Sequence, residues 1–283
     1  MELGISARAG IEAGLRTHRA DASRRARAAT EHIVAVADRA GYRAALIDAA
    51  AQGSVITWPQ FAHMVRAAAQ GLSRRGLRED DTAGIFVHDA CSHVIAVNAI
   101  RAAGAVAAPI RPVQTAAGIA AQLKECRARL LVTSAELADL ATQAAERSLV
   151  RQVFAFGEAD GTTPFGSLLH TARHGQLPAD GGTGHHGSNG RYPAEQVLHL
   201  AGSDGPAVPP LTRRDVVVAA PPCGDPDAYT SLLDLVQAAG ATIVAAPLTQ
   251  VTAMVGVYKG TAAIVSRGTD VAGLPAGRIL AAG

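Results

Sequence analysis

The chain has 283 residues, of which 48% are hydrophobic and 18% charged, and its net charge is +2. This apolar fraction is sufficient to bury a core, which excludes a globally disordered chain. The small net charge excludes a dedicated nucleic-acid binder, which normally carries a basic surplus on one face. Three cysteines are too few and too scattered for a disulfide framework or a zinc site, so we expect a reducing, cytoplasmic compartment.

Residues 1–43 predict a basic helical extension. Six arginines lie between residues 8 and 27, with Glu12 and Asp21 among them. No apolar stretch of signal-peptide length follows, so we expect no secretory signal. We interpret the segment as a solvated helix; contact with a membrane surface or an acidic partner is the alternative. The uncharged run from Leu235 to Tyr258 is interrupted by glycine and proline, so we expect no membrane span there.

Residues 44–173 alternate short apolar runs with helical patterns, which predicts a first α/β subdomain. A helix begins after Thr57, where Thr57 and Gln60 have the spacing of a capping box. Thr133 and Glu136 have the same spacing before the helix that ends near Glu146. The predicted strands of this subdomain are 45–48, 55–57, 83–87, 105–108, 130–132 and 153–156, and two further helices are 92–103 and 115–126.

A Gly-rich linker over 174–194 separates this subdomain from a second, incomplete α/β segment over 195–283. Strands separated by single helices imply right-handed crossovers. The predicted fold class is therefore α/β, with layered, largely parallel sheets covered by helices. The second segment contains predicted strands 197–200, 216–220, 241–246 and 262–265, helices 228–239 and 250–258, and a flexible tail from Arg267.

No segment carries a recognisable catalytic or metal-binding motif, so we assign no catalytic residue and no metal ligand. The pair His185-His186 has no further ligand at metal-site spacing. The run from Gly202 to Gly205 misses the G-x-S-x-G nucleophile elbow by one position. However, the loop over 200–212 consists of small, turn-forming residues. Such a loop can present backbone N–H groups and hydroxyls to phosphate, and an ordinary surface loop is the alternative interpretation.

Residues 44–270 resemble the larger, N-terminal domain of the adenylate-forming superfamily, which includes acyl-CoA synthetases and coumarate-CoA ligases. Residues 45–48 and 56–61 (ALID and ITWPQF) are similar to the family's "ALID…LTYAEL" opening. Residues 100–110 (IRAAGAVAAPI) resemble "LKAGAVYVPL", and residues 128–133 (ARLLVT) resemble "ARLLVT". Residues 215–222 and 238–244 resemble the strand and the "LLAGATVV" that follow the phosphate loop.

The resemblance implies a phosphate loop, "SSGTTGLPKGV" in the family, at residues 201–210. It makes five residues the candidates for binding ATP or AMP with Mg²⁺, and two the candidates for lining a carboxylic-acid or acyl site. The first set is Gly202, Ser203, Asp204, Gly205 and Thr212, and the second is Cys223 and Tyr229. We expect these segments to meet at the carboxyl ends of the strands, where open α/β sheets bind ligands.

Two departures from the family pattern bear on activity. Asp204 replaces a hydroxyl, and the family's loop lysine falls near Val208. A carboxylate facing a triphosphate is repulsive. The adenine-binding "YGxTE" segment, the ribose-binding aspartate and the C-terminal domain with its lysine have no counterpart here. Lys259 precedes a predicted buried strand and is not expected to substitute.

Three hypotheses follow. The first is a truncated, degenerate relative of the acyl-CoA ligases without full adenylation activity, in which nucleotide binding is weak or absent. It would act as a ligand-binding protein or as a subunit of a homodimer or of a complex with a partner. The second is an active, ATP-dependent carboxylate–CoA ligase completed by a partner chain, with Ser203 and Asp204 holding Mg²⁺. The third is an unrelated α/β small-molecule binder.

Overall fold

The computed structural model describes residues 31, 33–51, 53–170, 210–222, 224–266, 269 and 278–282. The helices in this part of the chain are α1 (33–40), α2 (Trp58–Arg74), α3 (Ala90–Ala102), α4 (Ala116–Glu125), α5 (Ala138–Glu146), α6 (Ser167–His170), α7 (Pro226–Ala238) and α8 (Val251–Tyr258). The strands are β1 (Ala44–Asp48), β2 (Ser54–Thr57), β3 (Thr82–Phe86), β4 (Val106–Pro109), β5 (Ala128–Ser134), β6 (Gln152–Phe156), β7 (Thr163–Pro164), β8 (Val216–Ala219), β9 (Thr242–Ala245), β10 (Ala262–Ser266) and β11 (Arg278–Ala282).

The strands form two sheets. The five-stranded sheet has the order β4-β3-β5-β6-β7, and all its pairs are parallel. The six-stranded sheet has the order β11-β10-β8-β9-β1-β2; only the β1–β2 hairpin is antiparallel. Because β1 pairs with β9, the six-stranded sheet combines residues 44–57 with residues 216–282. The predicted α/β class with largely parallel, helix-covered sheets is confirmed.

The two sheets share a central layer of helices. The largest apolar cluster joins inner residues of both sheets, such as Ile85 and Ile243, to buried residues of α2, α3 and α7. Helices α4 and α5 cover the other face of the five-stranded sheet, and α8 covers the other face of the six-stranded sheet. A strand that is buried on both faces usually has a nearly continuous apolar sequence, as β8 and β9 have.

The helix starts use local side-chain caps. At the start of α2, the Gln60 side chain accepts the backbone N–H of Thr57 at 2.8 Å, as the sequence predicted. Asp89 accepts from Ser92 N–H at 2.7 Å at the start of α3, and Asp225 accepts from two N–H groups at the start of α7. These caps satisfy donors that a helix leaves unpaired in its first turn.

Two sequence expectations are corrected here. Thr133 does not cap α5: it lies inside β5 and its hydroxyl donates to Phe86 O at 2.8 Å, while Ser134 precedes the short 3₁₀ turn before α5. The tail expected to be flexible contains β11, which pairs with β10 in parallel register. The arginine-rich part of the predicted basic extension, residues 8–27, lies outside the described residues. Within residues 1–43 the described helix is α1, and its Ile33, Val36 and Ala37 are buried in the core.

Helix α2 approaches α6 closely at Gly71. A Cβ at this position would lie 2.6 Å from the Leu168 carbonyl oxygen and 2.8 Å from Leu168 Cβ. Gly256 in α8 is the contrast, because a Cβ there would meet nothing within 4 Å. The two glycines therefore differ in effect. Gly71 permits a close approach of two backbones, whereas Gly256 makes no such contact and only lowers the helix propensity of α8.

We predict opposite effects of alanine at these two positions. Gly71→Ala is expected to lower the free energy of unfolding by about 1–3 kcal/mol, because backbone atoms of α6 must move. Gly256→Ala is expected to raise it by up to about 1 kcal/mol, from helix propensity alone. Urea unfolding followed by circular dichroism measures both. Equal effects of the two substitutions would contradict the close contact between α2 and α6.

Candidate functional site

Strand ends and helix starts meet at one edge of the six-stranded sheet. Strands β1, β8 and β9 end there, and α7 begins there. Helix α3 also begins there, because Cys91 lies against the backbone of Ala245. We call this region the carboxyl edge, defined as residues 48–51, 89–91, 220–222, 224–225 and 245–247. Open α/β sheets bind ligands at such edges, so it is the candidate site.

The carboxyl edge carries negative charge. Asp48, Asp89 and Asp225 lie in it, and its described residues include no lysine or arginine. Each carboxylate already accepts backbone N–H groups: Asp48 from Ala50 and Ala51, and the other two as helix caps. Cys91 is no nucleophile in this setting, because burial and the nearby aspartates raise the pKa of its thiol.

Of the predicted site residues, Tyr229 lies beneath the carboxyl edge. Its side chain is 2% exposed, and its hydroxyl donates to Ala220 O at 2.7 Å. Its ring meets the His93 ring edge-on, with centroids 5.3 Å apart. Tyr229 thus joins α7 to the end of β8 and to α3, and its role in lining a substrate site stays a prediction.

Thr212 lies at the other end of the sheet from residues 221 and 222. The rest of the predicted loop, residues 201–209, lies outside the described residues, so the expected meeting of this loop with residues 221–229 stays a prediction. Thr212 precedes β8, whereas residue 221 follows it, so the length of the strand separates them. Both the backbone N–H and the hydroxyl of Thr212 donate to Asp215 Oδ2, at 2.6 and 2.9 Å. Asp215 also accepts from the Thr261 hydroxyl at 2.7 Å, which ties β8 to β10.

The other predicted site residues lie outside the described residues: Gly202, Ser203, Asp204, Gly205 and Cys223. The same holds for the predicted linker over 174–194 and the strand over 197–200. Among the residues that the structure describes, no three His, Cys, Asp or Glu side chains are grouped so that they could hold a metal ion.

Both lysines of the chain lie away from the carboxyl edge. Lys124 is in the last turn of α4, on the outer face of the five-stranded sheet. Lys259 follows α8 in a left-handed conformation, with φ of 51°, and precedes the amino end of β10. The expectation that Lys259 does not supply a phosphate-binding charge agrees with this position.

Sequence reasoning missed a set of buried polar contacts between α3 and α7, which we call the polar ladder. His93 Nε2 lies 2.8 Å from the Thr230 hydroxyl. Asn98 donates to Gln237 Oε1 at 2.9 Å. Arg101 donates to both carboxylate oxygens of Asp234, at 2.8 and 2.9 Å. The available signal was the spacing of Thr230, Asp234 and Gln237, which places these three polar residues on one face of a helix.

The ladder fixes the protonation of His93. The Thr230 hydroxyl donates its one proton to Pro226 O at 2.7 Å, so it must accept from His93, whose Nε2 therefore carries a proton. Burial, with a smaller contribution from the Arg101 charge, lowers the pKa of His93 to about 3. The imidazole is neutral in the folded protein. Burial also raises the pKa of Asp234, against the opposing effect of Arg101.

Comparison with known proteins gives the family. Residues 33–176, about half of the chain, match the family profile described as AMP-binding enzyme. The chain therefore belongs to the AMP-binding enzyme family. No curated protein sequence matches the chain in a sequence search.

Solved structures share the fold at low sequence identity. A long-chain-fatty-acid–CoA ligase from Archaeoglobus fulgidus matches with a TM-score of 0.65 and 18% identity over 84% of this chain and 51% of its own. A benzoate CoA ligase from Burkholderia xenovorans matches with a TM-score of 0.61 and 15% identity, over 83% of this chain and 49% of its own. The N-terminal domain of FACL13 from Mycobacterium tuberculosis matches with a TM-score of 0.64 and 17% identity, over 88% of this chain and 67% of its own. The chain thus spans about half the length of the two ligases.

In the described part of the chain, no helix is both long and apolar enough to cross a bilayer. The uncharged run over 235–258 is divided among the end of α7, strand β9 and helix α8. Gly240 follows α7 and Pro247 follows β9, so these two residues lie at the breaks between the three elements.

The neutral state of His93 predicts a pH-dependent stability. The unfolded state binds a proton near pH 6.5 and the folded state only near pH 3. The unfolded state therefore binds more protons between these values, and the free energy of unfolding falls as pH drops through this window. The contribution of His93 is about 1.4 kcal/mol per pH unit.

Urea unfolding at pH 7, 6 and 5 tests this contribution by comparison of two variants. His93→Gln, which retains a donor toward Thr230, is expected to show a shallower fall in stability than the wild type. The matched control is His63→Gln, because His63 is exposed on α2 and its replacement should leave the slope unchanged. Identical slopes for His93→Gln and the wild type would contradict a buried, neutral His93.

Proposed function

We propose that this chain is a degenerate AMP-binding protein that holds a carboxylate, acyl or nucleotide ligand, or serves as a partner subunit, without completing adenylation by itself. The observation that carries the proposal is the sequence of residues 201–210, AGSDGPAVPP. It retains two glycines and a serine of the family's phosphate loop, but it contains an aspartate and no lysine.

The chemistry of adenylation explains why this loop matters. A carboxylate oxygen attacks the α-phosphorus of ATP, the bond to the β-phosphate oxygen breaks, and pyrophosphate leaves. The transition state spreads negative charge that cations and N–H donors must neutralise. The two lysines of the chain lie elsewhere in the fold, as described above. The loop itself offers Asp204, which adds to the charge.

The described part of the carboxyl edge is also a poor fit to ATP. Its side-chain charges are those of Asp48, Asp89 and Asp225, and each of these carboxylates is engaged with backbone N–H groups. A triphosphate brought to this edge meets repulsion and no described cation. This arrangement supports a ligand of lower charge, such as a free carboxylic acid or an acyl group, over ATP.

A second candidate is an active carboxylate–CoA ligase completed by a partner chain. The fold that the chain shares with the ligases supports it. In this alternative Ser203 and Asp204 would hold Mg²⁺, and the partner would supply the missing cations. The aspartate would then attract the metal instead of repelling the phosphates.

Carboxylate-dependent exchange of pyrophosphate into ATP separates the two candidates. The purified chain is assayed with Mg²⁺ and a panel of aryl and fatty acids. We expect exchange no faster than in reactions without the acid, because the required cations are absent from the loop. Acid-dependent exchange by the chain alone would overturn the proposal, and exchange that appears only with a second chain would support the alternative.

Asp204 itself can be tested by nucleotide binding. If its charge repels the phosphates, Asp204→Asn is expected to tighten ATP binding about tenfold, equivalent to about 1.4 kcal/mol. Isothermal titration calorimetry with and without Mg²⁺ measures the change. Asp160→Asn is the matched control, because Asp160 is exposed in the loop after β6. Weaker Mg²⁺-ATP binding by Asp204→Asn would indicate a metal ligand and favour the second candidate.

A further inference from the structure

The polar ladder joins helices that belong to different sheets. Helix α3 connects β3 to β4 of the five-stranded sheet, and α7 connects β8 to β9 of the six-stranded sheet. His93, Asn98, Thr230 and Gln237 are all buried. The Arg101–Asp234 pair is partly buried, with side chains 27% and 37% exposed. The ladder is independent of the proposed function, since it depends on no ligand.

The pairing of the ladder is specific for one position of α7 along α3. A slip of α7 by one turn, about 5.4 Å, changes the partner of each α3 side chain by four residues. In one direction His93 would face Pro226 and Arg101 would face Thr230. In the other direction His93 would face Asp234, but Arg101 would face Ala238. Either slip leaves the Arg101 charge without its carboxylate in the central layer.

Apolar contacts alone would discriminate less between these positions. Apart from Tyr229, the buried faces of α3 and α7 otherwise consist mainly of small and aliphatic side chains. Buried polar groups gain little net stability, since their desolvation offsets much of the interaction. Their best-attested use is to specify one register, because every alternative leaves a polar group unpaired.

We propose that the polar ladder is a register lock: it holds the five-stranded and six-stranded sheets in one relative position and contributes little to net stability. Because α7 begins at Pro226, directly after residues 224–225 of the carboxyl edge, the lock also sets where these residues lie relative to the start of α3. A shift of one packed element past another by about one turn is a known kind of conformational change.

Each pairwise contact of the ladder is called a rung. The test replaces the two side chains of one rung by apolar ones, and it measures the position of α7 and the stability of the protein separately. Asn98→Leu/Gln237→Leu removes the rung between Asn98 and Gln237. Spin labels are attached to noncanonical ketone residues at Gln143 on α5 and Asp227 on α7, both exposed, which leaves the native cysteines in place. Pulsed electron paramagnetic resonance then reports the distance between α7 and the five-stranded sheet, and thermal unfolding reports Tm.

We expect a single narrow distance in the wild type and a broadened or two-peaked distribution in the variant, with a Tm equal to or above that of the wild type. Ser231→Ala is the matched control, because its hydroxyl donates to Asp227 O within α7 and takes no part in the ladder. This control is expected to keep the narrow distance.

His93→Leu/Thr230→Val provides a second apolar rung in case the leucine pair packs too tightly. The same broadening is expected. An unchanged narrow distance in both paired variants overturns the proposal whatever their Tm. Failure of both to fold also overturns it, since the rungs would then be required for stability and would not merely specify the register.

Discussion

The fold depends on a constraint in its central layer. Helices α2, α3 and α7 lie between the two β-sheets, so a polar group on their buried faces has little access to water. Such a group must find a partner within the layer. Tyr229 meets this requirement through Ala220 O, and the three rungs of the polar ladder meet it across the α3–α7 contact. The same contacts join the two sheets, because α3 and α7 belong to different ones.

This constraint reaches the candidate site through short connections. The carboxyl edge consists of strand ends and of the first residues of α3 and α7, so the packing of these helices determines its shape. Its charge is set locally instead, by carboxylates that serve as helix and turn caps. A cap that stabilises a helix start also places negative charge at this edge.

Much of the fold was predictable because its signals are local. The capping box at Thr57, the apolar runs of β8 and β9 and the spacing of strands and helices all indicate parallel α/β structure. The errors arose where a residue has two possible uses. Thr133 has the spacing of a cap, but its hydroxyl is taken by the neighbouring strand β3. Residues 278–282 carry weak strand signals, and β11 forms because β10 offers it an edge.

The sequence by itself determined the class of the fold and the family resemblance, because these depend on residue types in a fixed order. Only the tertiary structure decided which residues meet. It separated Thr212 from residues 221 and 222 by the length of β8, and it buried Tyr229 against His93. It also paired α3 with α7 through residues more than 130 positions apart. Such contacts depend on how the two sheets pack, and no local pattern of residues contains that information.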